Sequence, residues 1–292
     1  MQTFPLGSHT VHRIGFGAMQ LPGPGVFGPP RDHDQALAVL RRAVELGVDH
    51  IDTAEIYGPT VANQLIREAL HPYPENLALV SKVGGRRGER GEWLPAQEPD
   101  GLRRQIEQNL ETLGTDRLAA VNLRLFARDG GDAPTHIEDR ELFDRQLTVM
   151  TKARDEGLID GIGLSNVSLE HLRVALQHTE IVCVQNAYNL LDRTAEPLLD
   201  ATTEHGIAFV PFFPLGSGFS ADNPVLGHPV VTREAHRQGR TPAQIVSAWT
   251  LTVAPNVLLI PGTSSVAHLE ENLAVRDITL PADVVTELNS AA

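Results

Sequence analysis

A (β/α)8 barrel is the fold this sequence predicts, on three observations. Apolar, β-branched runs alternate with amphipathic helical patterns along the whole 292 residues. There are eight such runs and about as many helices between them. No Pro/Gly/Ser-rich linker or shift in composition divides the chain, so one domain over residues 1–292 is expected.

The strand candidates are 13–17, 48–52, 77–83, 119–123, 161–165, 181–185, 207–212 and 257–260. After the first, residues 34–46 set Ala36, Leu37, Val39, Leu40, Ala43, Val44 and Leu46 on a helical period, and Gly47 follows as a stop signal. The stretches 101–113, 142–156 and 190–205 are helical in the same way and close on Gly114, Gly157 and Gly206. Ser168 is a cap residue before a helix over 169–177. The competing architecture, a doubly wound sheet, carries a glycine fingerprint in its first turn. Gly15-Phe-Gly-Ala-Met-Gln20 has Gly-x-Gly and no third glycine, and reads as a tight barrel loop.

Composition narrows the function. A hydrophobic content of 41% supports a sizeable core, and no stretch has 18 uninterrupted apolar residues. The first residues lack a basic segment followed by an apolar one, so no signal peptide is expected. The one cysteine, Cys183, lies in an apolar run and reads as a small core residue in a reducing compartment, which makes the expected location cytoplasmic. A net charge of −13 argues against nucleic acid and anionic membranes as partners. An anionic cofactor stays compatible with that charge, because helix N-termini bind phosphate without a basic protein. His71, His136, His228 and His236 show no metal-ligand spacing, and no metal is expected. The sequence sets no oligomeric state.

In a barrel of this kind, function gathers where the strands end. Asp52 ends the second strand, Tyr57 follows in the loop, and Lys82 ends the third. A phenol, an ammonium and a carboxylate brought together form a proton-donating device: the ammonium favours the phenolate, and the carboxylate holds the Lys charged and in place. A buried Tyr beside a satisfied Asp–Lys ion pair fits the same spacing. The fifth strand ends in Ser165 and Asn166, for which helix capping is an alternative reading, and the sixth in Gln185, Asn186 and Tyr188. The seventh ends in Pro211-Phe-Phe-Pro-Leu-Gly-Ser217 and the eighth in Pro261-Gly-Thr-Ser-Ser265.

These stretches carry a resemblance. Gly15-Phe-Gly-Ala-Met19, Ile51-Asp-Thr-Ala-Glu-Ile-Tyr-Gly58, Val80-Ser-Lys-Val83, Gly161-Ile-Gly-Leu-Ser-Asn166, Val184-Gln-Asn-Ala-Tyr-Asn189, Phe213-Pro-Leu-Gly216 and Ile260-Pro-Gly-Thr-Ser-Ser265, in this order, are similar to the aldo-keto reductases over nearly the whole chain. The resemblance implies a TIM barrel, NADP(H) at its C-terminal mouth and a small-molecule carbonyl as substrate. By position it makes Tyr57 the proton donor, with Lys82 and Asp52 as its activators. It places Ser165, Asn166 and Gln185 on the nicotinamide carboxamide and Phe212 where a tyrosine usually stacks on the nicotinamide ring; a phenyl ring stacks too. Leu215, Gly216 and Ser217 match the loop beside the pyrophosphate. Thr263, Ser264 and Ser265 match the segment around the 2′-phosphate, and Glu271 and Asn272 the adenine contacts.

Two departures from the family pattern stand out. Arg124 occupies the end of the fourth strand, where a catalytic histidine is usual. Three roles are open to it: a structural arginine paired with a loop acid such as Asp129, a donor to the carbonyl in place of the histidine, or a grip on an anionic group of the substrate. Gly262 and His268 stand where a Lys and an Arg commonly hold the 2′-phosphate, which weakens the expectation of NADPH over NADH. Within the family, the stretches 23–31, 121–124 and 210–216 resemble the bacterial pyridoxal reductases, which implies reduction of pyridoxal to pyridoxine. A general small-aldehyde reductase and a nucleotide-sensing regulatory subunit with little turnover are the alternatives.

Overall fold

The computed structural model describes residues 2–127, 134–216 and 223–291. The chain opens with an antiparallel hairpin of β1 (Thr3–Leu6) and β2 (His9–His12). β3 (Phe16–Gly17), α1 (His33–Glu45), β4 (His50–Asp52), α2 (Val61–Leu70) and β5 (Ala78–Val83) follow. A second hairpin, β6 (Gly85–Arg87) with β7 (Trp93–Pro95), leads into α3 (Pro99–Leu113) and β8 (Leu118–Arg124). Then come α4 (Arg140–Asp155), β9 (Ile159–Ser165), α5 (Leu169–His178), β10 (Cys183–Gln185), α6 (Glu196–Glu204) and β11 (Ala208–Phe209). Four helices end the chain: α7 (Pro229–Gln238), α8 (Pro242–Val253), α9 (Val266–Leu273) and α10 (Ala282–Asn289).

β3, β4, β5, β8, β9, β10 and β11 lie side by side in that order, each pair parallel. The eighth expected strand, at 257–260, is a short extended segment bridged on both sides, Val257 to Phe209 and Leu259 to Ile14. The Leu258 N–H donates to the Phe209 carbonyl at 2.9 Å, and the Leu259 N–H to the Arg13 carbonyl at 2.8 Å. These bonds close the sheet into the expected barrel. Pro261, which has no N–H to donate, limits the length of this last segment.

Alternation along the strands feeds two cores. Leu79, Val121, Leu123, Ile162, Leu164, Val184 and Phe209 belong to the large cluster shared with the helices. Ala78, Val80, Ala120, Cys183, Ala208, Val210 and Leu258 form a separate inner cluster together with Leu6 and Val11 of the first hairpin. The inside is tight: a Cβ on Gly163 would lie 2.2 Å from Asn122 Oδ1 and 2.7 Å from Cys183 Sγ. The sequence reading missed this hairpin. It is held by Asp49, whose carboxylate oxygens accept from the His12 N–H at 3.0 and 3.1 Å and lie 2.7 Å from His12 Nδ1.

One helix begins later than its periodicity suggests. The pattern over 190–205 predicts a long helix, but α6 starts at Glu196. Asn189 Oδ1 accepts from the N–H groups of Leu191 and Asp192 at 2.9 and 3.0 Å, a local turn that competes with helix, and Pro197 then opens α6. No helix among the described residues is long and apolar enough to cross a membrane.

Candidate active site

Asp52 ends β4 with its side chain inside the barrel mouth, 3% exposed. One carboxylate oxygen accepts from Lys82 Nζ, and the other accepts from the Gln185 amide nitrogen at 2.6 Å. Lys82 comes from β5, next to β4, and Gln185 from β10 on the far side, so the carboxylate ties the mouth together across its width. Lys82 also donates to the Thr53 carbonyl at 2.9 Å, and its Nζ lies 5.0 Å from the centre of the buried Tyr57 ring. Burial alone would lower the Lys82 pKa; the charges of Asp52 and Tyr57 and the hydrogen bonds to them outweigh it and raise the ammonium above its usual range.

A buried polar network backs this cluster. Thr53 Oγ1 donates to Asn63 Oδ1 at 2.8 Å, and Asn63 Nδ2 donates to Asn109 Oδ1 at 3.0 Å. Ser81 Oγ donates to the same Asn109 oxygen at 2.5 Å. Thr53 and Ser81 are the chain neighbours of Asp52 and Lys82. The network therefore fixes the two strand ends that carry the ion pair.

Arg124 and Ser165 stand opposite each other in the β8–β9 register, and Arg124 Nη1 donates to Ser165 Oγ at 3.2 Å. The guanidinium lies 5.4 Å from the Phe126 ring centre and 5.2 Å from that of Phe212. Burial lowers its pKa, and the charges of Tyr57 and Asp52 oppose that. Asp129, the acid considered as its partner, lies outside the described residues. Ser168, and not Ser165 or Asn166, caps α5, through a capping box with His171. Asn166, at φ +61°, instead donates to the Leu125 carbonyl at 2.9 Å, and its N–H donates to the Gln185 carbonyl at 2.8 Å. The structure thus gathers Asp52, Tyr57, Lys82, Arg124, Ser165, Asn166, Gln185 and Phe212 at one end of the barrel. Tyr188 turns away: it is buried against Trp249, the rings stacked at 6.3 Å, and burial pushes its phenol up to about 12.

The two remaining loops lie on the rim. Leu215 accepts from Asn223 Nδ2 at 2.8 Å, and Gly216 turns at φ +80°. Ser217 lies outside the described residues. The loop after 257–260 presses on β3: a Cβ on Gly262 would lie 2.5 Å from the Gly17 carbonyl, and one on Gly17 2.5 Å from that of Ile260. Thr263 is buried, Ser264 is exposed, and Ser265 caps α9, accepting from the His268 N–H at 3.4 Å. His268 and Glu271 are exposed on the first turns of α9, and Asn272 is half-buried.

The structure adds residues that sequence reasoning missed. The β6–β7 hairpin carries Trp93 to the mouth, 39% exposed, its ring edge-on to Tyr57 at 6.2 Å. A Cβ on Gly85 would lie 3.2 Å from both Ile56 Cδ1 and the Phe126 ring, which places these two side chains together at the base of the hairpin. The Gly-rich run 84–91 was the available signal for a hairpin here.

The model of the Aldo/keto reductase family matches residues 13–292. The chain belongs to that family. Among curated proteins it is 49% identical over 288 residues to the pyridoxine 4-dehydrogenase of Escherichia coli, covering 98% of this chain and 97% of that one. An uncharacterised oxidoreductase of Schizosaccharomyces pombe is 35% identical over 289 residues, 98% of this chain and 89% of that one. Among solved structures, a thermostable aldo-keto reductase in complex with the inhibitor epalrestat superposes with a TM-score of 0.82 at 28% identity, over 100% of both chains. An aldo/keto reductase from Klebsiella pneumoniae, in complex with NADP and acetate, gives 0.79 at 26% identity, over 99% of this chain and 94% of that one.

Proposed function

We propose that this aldo-keto reductase is one barrel domain that reduces small aldehydes and ketones with NADPH, pyridoxal to pyridoxine being the favoured pair, and that it works in a reducing, cytoplasmic compartment. The observation that carries the reductase reading is the buried Asp52–Lys82–Tyr57 cluster at the barrel mouth. A carboxylate and an ammonium locked together beneath a phenol have a clear chemical use in moving a proton at the Tyr57 hydroxyl.

The residues present fit a dinucleotide. Phe212 offers an aromatic face beside Ser165, Asn166 and Gln185, whose polar atoms line one side of the mouth. At the rim, the hydroxyls of Thr263, Ser264 and Ser265 sit where the α9 N–H groups begin, a setting suited to phosphate. Glu271 and Asn272 lie further along α9, on the adenine side in this reading. The bound cofactor would supply a hydride to the carbonyl carbon. Tyr57 then gives its proton to the carbonyl oxygen, and Lys82 stabilises the phenolate that remains. Asp52 keeps Lys82 charged, and Gln185 keeps the second Asp52 oxygen satisfied.

The substrate reading rests on the 49% identity to a protein named pyridoxine 4-dehydrogenase and on Arg124. A permanent cation between Phe126 and Phe212 suits a planar hydroxypyridine whose ring hydroxyl ionises readily. An NADPH-oxidation screen over pyridoxal, nitrobenzaldehydes, sugars and quinones tests both levels. Pyridoxal should give the highest kcat/KM. Turnover of other aldehydes with none of pyridoxal would leave a general aldehyde reductase; cofactor binding with no turnover at all would favour the nucleotide-sensing alternative.

A further inference from the structure

The β6–β7 hairpin meets the mouth through one polar side chain that the mechanism does not use. Arg87 stacks on Trp93 with its guanidinium carbon 3.8 Å from the ring centre, and lies 5.5 Å from the ring centre of Phe27. Its Nη2 donates to the Gly25 carbonyl at 2.8 Å. Nε and Nη1 are buried without a hydrogen-bond partner, and burial lowers the group's pKa. Two unpaired donors on a desolvated cation are costly, and a planar stack on two aromatic faces is the compensation the geometry offers.

What Arg87 joins explains why that cost is borne. The Gly25–Phe27 loop is fastened to the loop of Tyr57: Phe27 bridges Gly58, the Gly58 N–H donates to the Val26 carbonyl at 3.2 Å, and the Gly28 N–H donates to the Gly58 carbonyl at 2.7 Å. The base of the hairpin is fixed separately. Gln105 of α3 accepts from the Gly84 N–H at 2.7 Å and donates to the Ala96 carbonyl at 2.8 Å. Between that base and the loop of Tyr57, Arg87 ties the hairpin to Gly25 by a hydrogen bond and stacks on Trp93, which stands edge-on to the Tyr57 ring.

We propose that Arg87 is a specificity-determining positioning residue: by stacking on Trp93 and binding the Gly25 carbonyl, it fixes the indole as one wall of the carbonyl-substrate pocket. The inference rests on the reading of this mouth as a carbonyl-reducing site. A flat indole wall at a fixed distance from Tyr57 favours planar aromatic aldehydes over small aliphatic ones, because only the former cover the ring.

The test combines kinetics with fluorescence. Arg87→Ala should raise KM for pyridoxal by ~5-fold, the loss of one stacked cation and its hydrogen bond, while KM for propanal and kcat for both stay within about twofold. Arg87→Lys should recover part of the pyridoxal KM, since it keeps the charge and loses the planar stack. The two tryptophans are Trp93 and the buried Trp249, so acrylamide quenching reports Trp93. Arg87→Ala should increase that quenching with no substrate present, and in a Trp93→Phe background it should change neither quenching nor KM. Unchanged quenching, or an equal loss on both aldehydes, overturns the proposal. Wild-type protein that turns over neither aldehyde overturns the reductase reading itself, and with it the substrate half of this inference.

Discussion

Arg124 and Ser165 face each other across two neighbouring strands, and the guanidinium donates to the hydroxyl at 3.2 Å. The cation that ends β8 is therefore anchored to the residue that ends β9. That bond and the rings of Phe126 and Phe212, 5.4 and 5.2 Å away, together fix the direction of the guanidinium.

Arg124→Ala should raise KM for pyridoxal by ~10-fold or more, the equivalent of one charge-assisted hydrogen bond. An uncharged aldehyde of similar size should suffer much less. Steady-state kinetics on the pair separates two roles: an equal fall in kcat for both, with KM unchanged, would mean that Arg124 acts on the transition state as the histidine does.

Tyr57→Phe should lower kcat by ~10²-fold or more and leave cofactor affinity nearly unchanged. Fluorescence titration with NADPH beside turnover measurements checks both halves. More than about a third of wild-type kcat in the variant would reject Tyr57 as the acid.

His268→Arg should tighten NADPH binding and leave NADH where it was. His268 is exposed on the first turn of α9, one turn from the Ser265 cap, and the cation usual there is missing. Identical titration curves for variant and parent would place His268 away from the 2′-phosphate.

Asp49 makes stability fall in acid. Burial raises its pKa, but the hydrogen bonds from His50 and the His12 backbone and the charges of both rings outweigh that and hold it below the usual carboxylate value. The folded pKa lies under the unfolded one, so the contribution is complete above about pH 4 and disappears as pH falls through the folded value. Asp49→Asn should cost on the order of 1–3 kcal/mol at pH 7, where a buried backbone donor loses its charged partner. Urea midpoints measured from pH 6 down to pH 3 should fall less steeply in the variant than in the parent.

Cys183 should be inert while the protein is folded. It is buried, and burial pushes its thiol up to about 12. A thiol reagent such as DTNB at pH 8 should label it only after denaturant is added; fast labelling of native protein would contradict the inner packing described above.

The barrel and the strand-end polar residues were legible because each carried a local signal. Asp52, Lys82 and Gln185 all terminate apolar runs, and the parallel order of the strands is enough to bring such ends together. What stayed hidden depended on long-range company. The first hairpin offers only Leu6, after Pro5, and Val11, between Thr10 and His12, as buried apolar residues, too few to announce a strand pair. Arg87 reads as one charge in a Gly/Arg-rich loop, and only the fold sets it on Trp93. Tyr188 misled in the other direction: a polar tip at a strand end faces the site only if its strand points that way, and here Trp249 claims the ring.

The first hairpin also sets the size of the residues around it. Barrel interiors are ordinarily filled by bulky branched side chains. At the closed end of this one the strands contribute Ala78, Ala119, Ala120 and Ala208, and the volume they leave is taken by Leu6 and Val11 from outside the sheet. The wall and its stopper are thus two halves of one packing solution. Pulled out, the stopper would bare to water the inner layer of Val80, Cys183, Val210 and Leu258 against which it packs. The first dozen residues, at the opposite end from the Asp52–Lys82 pair, thus serve the barrel as a plug of its apolar floor.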